Sequence, residues 1–278
     1  MPGESADFPA ECWRVGEIED FLRPTRGTVV AKTHRGGSMP SSSRKALLLC
    51  GLVSSLLYAA MNAFIPMMWD GYRSFSQTIS ELSAVDAPTR AVWVPLGFAY
   101  TVLVAAFGIG VRASADHNRA LQVLGALLIF NGLFGLGWLP MHQRAVLVAG
   151  GATLTDTMHL VWGAVTSVLL LFEIGFGAAA FGRRFRIYSI ATMTTLLFFG
   201  LLTFRDAPSV AANLPTPWLG VWERINVLGY MLWQAVLSVT LLRGQEAVRS
   251  QTSINPVHSH FVAPTSVNEG GALRVPRL

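Results

Sequence analysis

Six apolar runs, separated by short polar segments, set the strongest limit on how this chain can fold. They cover residues 46–68, 91–111, 120–140, 158–181, 187–204 and 225–242. A helix needs about 20 apolar residues to cross the hydrocarbon core of a bilayer, and each run reaches or approaches that length. Charged residues make up only 13% of the chain, whereas soluble domains contain about 25%. We therefore predict an all-α integral membrane protein, a six-helix bundle embedded in the lipid bilayer.

Arginine and lysine are distributed unevenly between the two sides of this predicted bundle. Basic residues precede the first run, follow the last run, and occupy the short connections 112–119 and 182–186. The other side holds only five of the 21 basic residues: Arg73, Arg90, Arg144, Arg205 and Arg224. Cytoplasmic connections are enriched in basic residues. The pattern predicts cytoplasmic N and C termini and a multi-pass protein of the cell (plasma) membrane.

The regions outside the runs predict a simple domain organisation. Residues 1–43 mix charges, proline and glycine without apolar periodicity, and residues 244–278 are rich in serine, asparagine and proline. Both compositions indicate disordered cytoplasmic segments that flank a membrane domain at residues 44–243. A second possible start lies at Met39, shortly before the first run.

Three polar segments would meet on the outer side of the bundle, at residues 74–90, 141–157 and 205–224. We expect them to form a pocket that binds a ligand. The candidate ligand-binding residues are Glu81, Asp86, His142, Asp156, His159, Glu223, Arg224 and Asn226. Five tryptophans would surround the pocket at headgroup level: Trp69, Trp93, Trp138, Trp218 and Trp222.

Two of these acidic residues also have a structural interpretation. Thr78 precedes Glu81 by three residues, the spacing of a capping box, so residues 78–84 can form a short interfacial helix. Asp156 can cap the helix of the fourth run, because a helix N-terminus favours an anion. Both interpretations remain open beside the ligand-binding one.

Glu81 should have a partner if it is buried, because a buried carboxylate needs a hydrogen-bond donor. The outer segments offer two nearby groups, the Asp156–His159 pair and the Glu223–Arg224 pair. We predict that Glu81 approaches one of them and that residues 74–90 close over the mouth of the bundle.

The outer histidines allow two kinds of chemistry. A hydrolase would use His142 or His159 as general base, Asp156 to orient it, and Ser80 or a metal-bound water as nucleophile. A metal site would need both histidines and a carboxylate such as Asp156, but the chain lacks a His-Glu-x-x-His sequence. Both histidines can also be interfacial residues without a ligand role. We predict no metal and no cofactor.

Polar residues inside the runs should face the interior of the bundle. Asn62 and Asn131 belong to the first and third runs, and Glu173 belongs to the fourth. Glu173 would lie about 22 Å below the outer end of its helix, from a rise of about 1.5 Å per residue. A packing role and a proton-relay role are equally compatible with that depth.

Three short stretches resemble a known family: SQTISELSA after the first run, Pro140-Met141-His142, and TDTMH at the fourth run. They resemble the domain-of-unknown-function 998 (DUF998) family of multi-pass membrane proteins from bacteria and archaea. The resemblance covers about residues 44–242 and implies a six-helix membrane protein without an established activity. A distant similarity extends to the DRAM/Frag1 membrane proteins.

A third resemblance concerns the hydrolase interpretation. Alkaline ceramidases and adiponectin-type receptors hold zinc with a serine, an aspartate and three histidines in a membrane bundle. Asp156, His142 and His159 resemble part of that set, but the last apolar run contains no histidine. The resemblance therefore does not extend to a complete zinc site.

Three functions remain open at this point. The first is binding of a lipid headgroup, a small molecule or a partner protein at the outer pocket. The second is an outer-face hydrolase of lipid or cell-envelope material, and the third is a small transporter. We predict no nucleic-acid partner, because the basic residues flank apolar runs and form no aromatic–basic face. The sequence carries no signal for the oligomeric state.

Overall fold

Long helices make up most of the molecule. The computed structural model describes residues 39–254, with side chains through residue 246. This part of the chain contains seven α-helices, two 3₁₀ helices and no β-strand. The α-helices are α1 (Ser41–Phe64), α2 (Arg90–Ala113), α3 (Arg119–Gly135), α4 (Arg144–Val148), α5 (Leu154–Ala180), α6 (Arg183–Ala211) and α7 (Leu219–Ile254). The 3₁₀ helices are Ile65–Met68 and Ile79–Ser83; we call the second one the roof helix.

Five helices are long and apolar enough to cross a membrane: α1 with the 3₁₀ turn that follows it, α2, α5, α6 and α7. Helix α3 is also apolar but has only 17 residues. Large apolar side chains such as Leu56, Phe172 and Leu201 are more than half exposed, as expected for helices surrounded by lipid. The prediction of an all-α protein is confirmed for the described residues, and the five candidate spans support a multi-pass membrane protein.

Helix boundaries differ from the apolar runs at the outer ends. Helix α6 continues seven residues past the predicted end at 204, and α7 begins six residues before the predicted start at 225. The polar segment predicted at 205–224 is therefore mostly helical, and only residues 212–218 connect the two helices. Hydropathy marks the part of a helix suited to lipid, whereas backbone hydrogen bonding continues into polar sequence. Helix α3, in contrast, ends at Gly135 and not at 140, shortly before Pro140, which disfavours helix in the residue preceding it.

The predicted terminal segments lie largely outside the described residues. Helix α1 begins at Ser41, inside the segment predicted at 1–43, and α7 continues to Ile254, inside the segment predicted at 244–278. Residue contacts group Met1–Gly244 and Gln245–Leu278 as two units. Everything described below belongs to the first unit.

Helices α2 and α3 pack with their backbones close together. A Cβ atom at Gly132 would lie 2.6 Å from the backbone nitrogen of Ala105, and one at Gly108 would lie 2.6 Å from that of Ile129. Small residues of this kind let membrane helices approach closely. The apolar core then continues through the fully buried side chains Leu48, Phe107, Leu124, Leu128, Ile174 and Trp233.

Candidate functional site

The roof helix is held in shape by its own first turn. The Thr78 hydroxyl accepts a hydrogen bond from the Glu81 amide at 3.3 Å, and the Glu81 carboxylate accepts one from the Thr78 amide at 3.0 Å. The predicted capping box and short helix are thus confirmed. Ile79 and Leu82 are buried and pack in an apolar cluster that includes Trp93, which fixes the helix against α1 and α2.

Arg144 joins the roof helix to two other outer segments. Its Nη2 atom lies 3.1 Å from Glu81 Oε1 and donates to the Ser76 carbonyl at 3.1 Å. Its Nη1 atom donates to the Thr216 hydroxyl at 2.9 Å. The Glu81 side chain is only 2% exposed, so this ion pair compensates the desolvation of a buried carboxylate. Arg144 was not among the partners predicted for Glu81 from the sequence.

Glu223, near the start of α7, supports the roof helix from the opposite side. Its Oε2 atom accepts the Ile79 amide at 2.5 Å, and its carboxylate also faces the amide of Ser80. These amides belong to the first turn of a helix, where backbone N–H groups lack partners within the helix. The hydrogen bonds to Glu223 thus come from residues beside Glu81, whereas Glu81 itself forms its ion pair with Arg144 and with neither of the two predicted partners.

Arg224 fixes the chain that leads into the roof helix. Its Nη1 atom donates to the carbonyls of Ser74 at 2.7 Å and Gln77 at 3.0 Å. Its Nη2 atom donates to the Tyr72 hydroxyl at 2.7 Å, and that hydroxyl donates to the Thr78 carbonyl at 2.7 Å. Burial raises the pKa of Tyr72 above its usual range, so the phenol keeps the proton that this last bond requires.

Asp156 connects the segment after α3 to the start of α5. Its carboxylate accepts the His142 amide at 2.6 Å, His142 Nδ1–H at 2.9 Å and the Thr153 amide at 2.8 Å. The capping interpretation of Asp156 is confirmed. The Met141 carbonyl accepts the Val85 amide at 2.8 Å, so the first and second outer segments are joined directly.

Ser80 and His159 come together across 79 residues of sequence. The Ser80 hydroxyl lies 3.1 Å from His159 Nε2, and His159 Nδ1 lies 2.6 Å from the Leu139 carbonyl oxygen. The imidazole also packs nearly perpendicular to the Trp138 ring, with ring centroids 6.2 Å apart. The histidine beside Ser80 is therefore oriented by a backbone carbonyl, while Asp156 orients the other histidine.

A cavity of about 490 Å³ extends from the roof helix between α2, α3, α5, α6 and α7. Within residues 39–254, the acidic and histidine side chains that line it are Asp156, His159 and Glu223, all close to the roof helix. Away from the roof the lining is largely apolar. It includes Val94, Phe98, Val104, Leu160, Leu170, Phe204, Val227 and Met231.

The predicted ligand-binding residues divide into two groups around this cavity. Asp156, His159, Glu223 and Asn226 line it, as does the candidate nucleophile Ser80. The others lie elsewhere: Glu81 and Arg224 hold the roof helix, His142 bonds to Asp156, and Asp86 is exposed. Of the five predicted tryptophans, Trp93 and Trp138 line the cavity.

The three polar residues predicted inside the bundle lie in two different places. Asn131 lines the cavity, and Glu173 is fully buried beside it, where it accepts a hydrogen bond from the Tyr230 hydroxyl. Asn62 donates to the Tyr58 carbonyl of its own helix at 3.0 Å and does not line the cavity. Asn131 and Glu173 thus form one polar group, and Asn62 is part of the packing of α1.

Metal-binding geometry is absent from residues 39–254: no three His, Cys, Asp or Glu side chains there could hold an ion together. The weak candidates His142, His159 and Asp156 are engaged in other ways. His142 is bonded to Asp156, and His159 is bonded to Leu139 and Ser80.

One of the contacts that were not predicted, between Glu81 and Arg144, did have a signal in the sequence. The side predicted to face outward holds few basic residues. It also holds two carboxylates that become buried or half-buried, Glu81 and Glu223. A buried carboxylate needs a cation or several donors, so Arg144 was a candidate partner by charge alone. The Leu139 carbonyl left no such signal, because every residue carries one.

A comparison with protein families finds a match that covers most of the chain. The family model described as "Protein of unknown function (DUF998)" matches residues 52–240, well over half of the chain. The matched range includes most of α1, the roof helix and every residue that lines the cavity. No curated protein and no solved structure matches the chain.

Proposed function

The chain belongs to the DUF998 family, and we propose that it binds an amphipathic lipid in the cavity under the roof helix. The acyl chain would occupy the apolar part, and the polar headgroup would lie near Ser80, His159 and Glu223. One observation carries this proposal: the cavity is largely apolar, and the acidic and histidine side chains that line it in the described part of the chain lie at one end. A volume of about 490 Å³ lies within the range of about 300–1,000 Å³ found for ligand pockets.

An opening between α5 and α6 would give a lipid access from the bilayer. The two helices are held together at one end by residues 181–182, the only residues between them. Leu160 and Phe204, toward the other end, line the cavity and are 51% and 41% exposed. An acyl chain could therefore enter sideways without passing through water.

The proposal includes an orientation in which the bundle crosses the membrane six times. Helix α3 would be the sixth crossing, both termini would be cytoplasmic, and the roof helix would face outward. The support is the distribution of basic residues, of which only five of 21 would lie outside. Helix α3 is short for a crossing but is joined closely to α2 along its length.

Cysteine labelling tests this orientation. In a background with Cys12 and Cys50 replaced by serine, Val148→Cys should react with a membrane-impermeant maleimide in intact cells. Asp116→Cys, in the α2–α3 connection, should react only after permeabilisation. Both positions are exposed. The reverse labelling pattern would contradict the proposed orientation.

Purification and mass spectrometry test the lipid. The protein, extracted with a mild detergent or in native nanodiscs, should carry a lipid with an acyl chain. Gly163→Phe should remove it, because Gly163 lines the cavity and a Cβ atom there meets nothing within 4 Å. The phenyl ring would then occupy the space of the acyl chain.

Gly175→Phe is the matched control. Gly175 lies on the same helix and also has open space at its Cβ, but it does not line the cavity. This variant should keep the bound lipid. Equal lipid content in both variants and in the wild type would show that the lipid lies elsewhere, which contradicts the proposal.

A further inference from the structure

We propose that Ser80 and His159 form a nucleophile–base pair that cleaves a carboxylic ester of the bound lipid. The inference rests on the proposed function, because it requires an acyl chain in the cavity. It adds a reaction, a substrate class and two catalytic residues to a binding site.

The proton positions follow from the hydrogen bonds of His159. A carbonyl oxygen only accepts, so the bond of 2.6 Å to Leu139 places a proton on Nδ1. In the neutral imidazole Nε2 then carries a lone pair. The Ser80 hydroxyl, 3.1 Å away, donates its proton to that atom. This is the arrangement in which a histidine activates a serine, and the distance lies within the reach of about 2.6–3.2 Å required of a general base.

Ser80 is held rigidly, as a nucleophile must be. Glu223 binds the amides of the first turn of the roof helix, and the Glu81–Arg144 ion pair fixes its centre. Ser83 Oγ donates to the Ser80 carbonyl at 2.9 Å. The Ser83 side chain is thus committed to the backbone, whereas the Ser80 hydroxyl meets an imidazole at the cavity wall.

The position of Ser80 determines which bond of the bound lipid would be cleaved. In acyl lipids the ester carbonyl lies where the acyl chain joins the headgroup. Ser80 lies at the equivalent boundary of the cavity, beside its acidic and histidine side chains and above its apolar lining. A lipid placed as proposed brings its ester, and not its headgroup phosphate or the end of its chain, to the Ser80 hydroxyl.

The reaction is balanced with water as the second reactant. Ser80 Oγ attacks the ester carbonyl carbon while its proton moves to His159 Nε2. The ester C–O bond then breaks, and His159 gives that proton to the departing alcohol oxygen, which leaves an acyl-serine. Water attacks the acyl-serine, His159 takes a proton from the water and returns it to Ser80 Oγ, and a fatty acid is released.

A fluorophosphonate probe tests the activated serine on the full-length protein in membranes. Such a probe forms an Oγ–P bond with an activated serine and releases fluoride. We expect one adduct, located at Ser80 by peptide mass spectrometry. Ser80→Ala should abolish labelling. Ser76→Ala, the control in the segment before the roof helix, should keep it, because the contacts of Ser76 with Arg144 and Thr216 use its backbone carbonyl, which alanine retains. His159→Gln should slow labelling at least about 100-fold, the lower end of the effect of a general base.

Two results would overturn the inference: absence of an adduct in the wild-type protein, or equal labelling in Ser80→Ala. If His159→Gln fails to fold, the Ser80→Ala and Ser76→Ala pair still decides the question. Lipid analysis of the same samples separates the two proposals. Bound lipid without an adduct overturns the ester cleavage and supports lipid binding, whereas the absence of lipid that Gly163→Phe can remove overturns lipid binding itself.

Discussion

Glycines in two regions of the molecule have opposite surroundings. Along the α2–α3 contact, Gly108 and Gly132 lie against the backbone of the neighbouring helix, and a Cβ atom would come within 2.6 Å of it. On α5, Gly163 and Gly175 have nothing within 4 Å of a Cβ atom. In the first region the missing side chain lets two helices pack closely. In the second region it leaves an open volume, and at Gly163 that volume is part of the cavity. The bundle is therefore closed on one side and open on the other.

The difference between the α2–α3 glycines and the α5 glycines explains how the bundle can be stable and still contain a cavity. Few side chains of the α5 and α6 spans are buried within the protein, so these helices contribute little packing. Contact between α2 and α3 then supplies close dispersion contacts that do not depend on burial from water, which is the main stabilisation available to helices in lipid. Substitutions in the two regions should accordingly have very different effects.

The largest effect is expected for Gly132→Leu. The new Cβ would overlap the Ala105 backbone, and neither helix can move without breaking other contacts. Overpacking costs about 1–3 kcal/mol where side chains can adjust, so a clash with backbone should exceed about 3 kcal/mol. Size-exclusion chromatography and thermal unfolding should show loss of folded protein. Gly97→Leu is the control, because Gly97 on α2 faces open space; equal loss in both variants would contradict the packing argument.

Arg144→Met should have the next largest effect on stability. It removes the ion pair that holds the roof helix over the cavity. It leaves Glu81 buried without its cation, and breaking a buried pair costs about 3–5 kcal/mol. We expect the lower end, about 3 kcal/mol, because the Arg144 side chain is 26% exposed. Chemical unfolding in micelles measures the loss.

A second substitution tests the cause of that loss. Adding Glu81→Gln to Arg144→Met should recover part of the stability, since the uncompensated charge is gone. A double variant as unstable as Arg144→Met alone would assign the loss to packing and not to charge.

Interactions between residues close in the sequence could be predicted from the sequence alone. The capping box of Thr78 and Glu81 and the cap formed by Asp156 depend on residues three apart, so spacing alone predicts them. Apolar runs located the helices for a similar reason, because each run reflects the lipid around one helix.

Contacts between distant segments could not be predicted in the same way. Arg144 lies 63 residues from Glu81, and His159 lies 79 residues from Ser80. Ser80 and His159 were candidates by residue type, but only the fold brings them within 3.1 Å. The two roles of glycine are equally hidden, since Gly132 and Gly163 both lie in apolar runs without any other distinguishing feature.

A smaller effect of opposite sign is expected for Gly163→Ala. Alanine is favoured over glycine in a helix by about 0.5–1 kcal/mol, and the added methyl group meets nothing within 4 Å. The variant should be slightly more stable than the wild type by thermal unfolding. Gly108→Ala, which adds the same methyl group to the closed side, should be less stable. The same sign for both variants would remove the distinction between the two regions.

The smallest effect is expected at the contact between α1 and α7, which uses polar bonds in place of glycine. Gln234 Nε2 donates to the hydroxyls of Ser54 at 2.8 Å and Ser55 at 3.1 Å, and to the Gly51 carbonyl at 3.2 Å. Ser54→Ala removes one of these three acceptors. Hydrogen bonds between membrane helices contribute about 0.6 kcal/mol on average, and the remaining acceptors should reduce the loss further.

Gln234→Leu sharpens this last prediction. Both serine hydroxyls also donate to the Gly51 carbonyl, at 3.1 Å and 2.9 Å, so they keep a partner when the amide is gone. Leucine has a similar volume and leaves no polar atom of its own unpaired, so the free energy of unfolding should change by less than about 1 kcal/mol. A larger loss in micelles would mean that polar bonds, and not close backbone packing, set helix association here. It would also weaken the contrast between the closed and open sides, because the α2–α3 glycines would then not be the main source of stability.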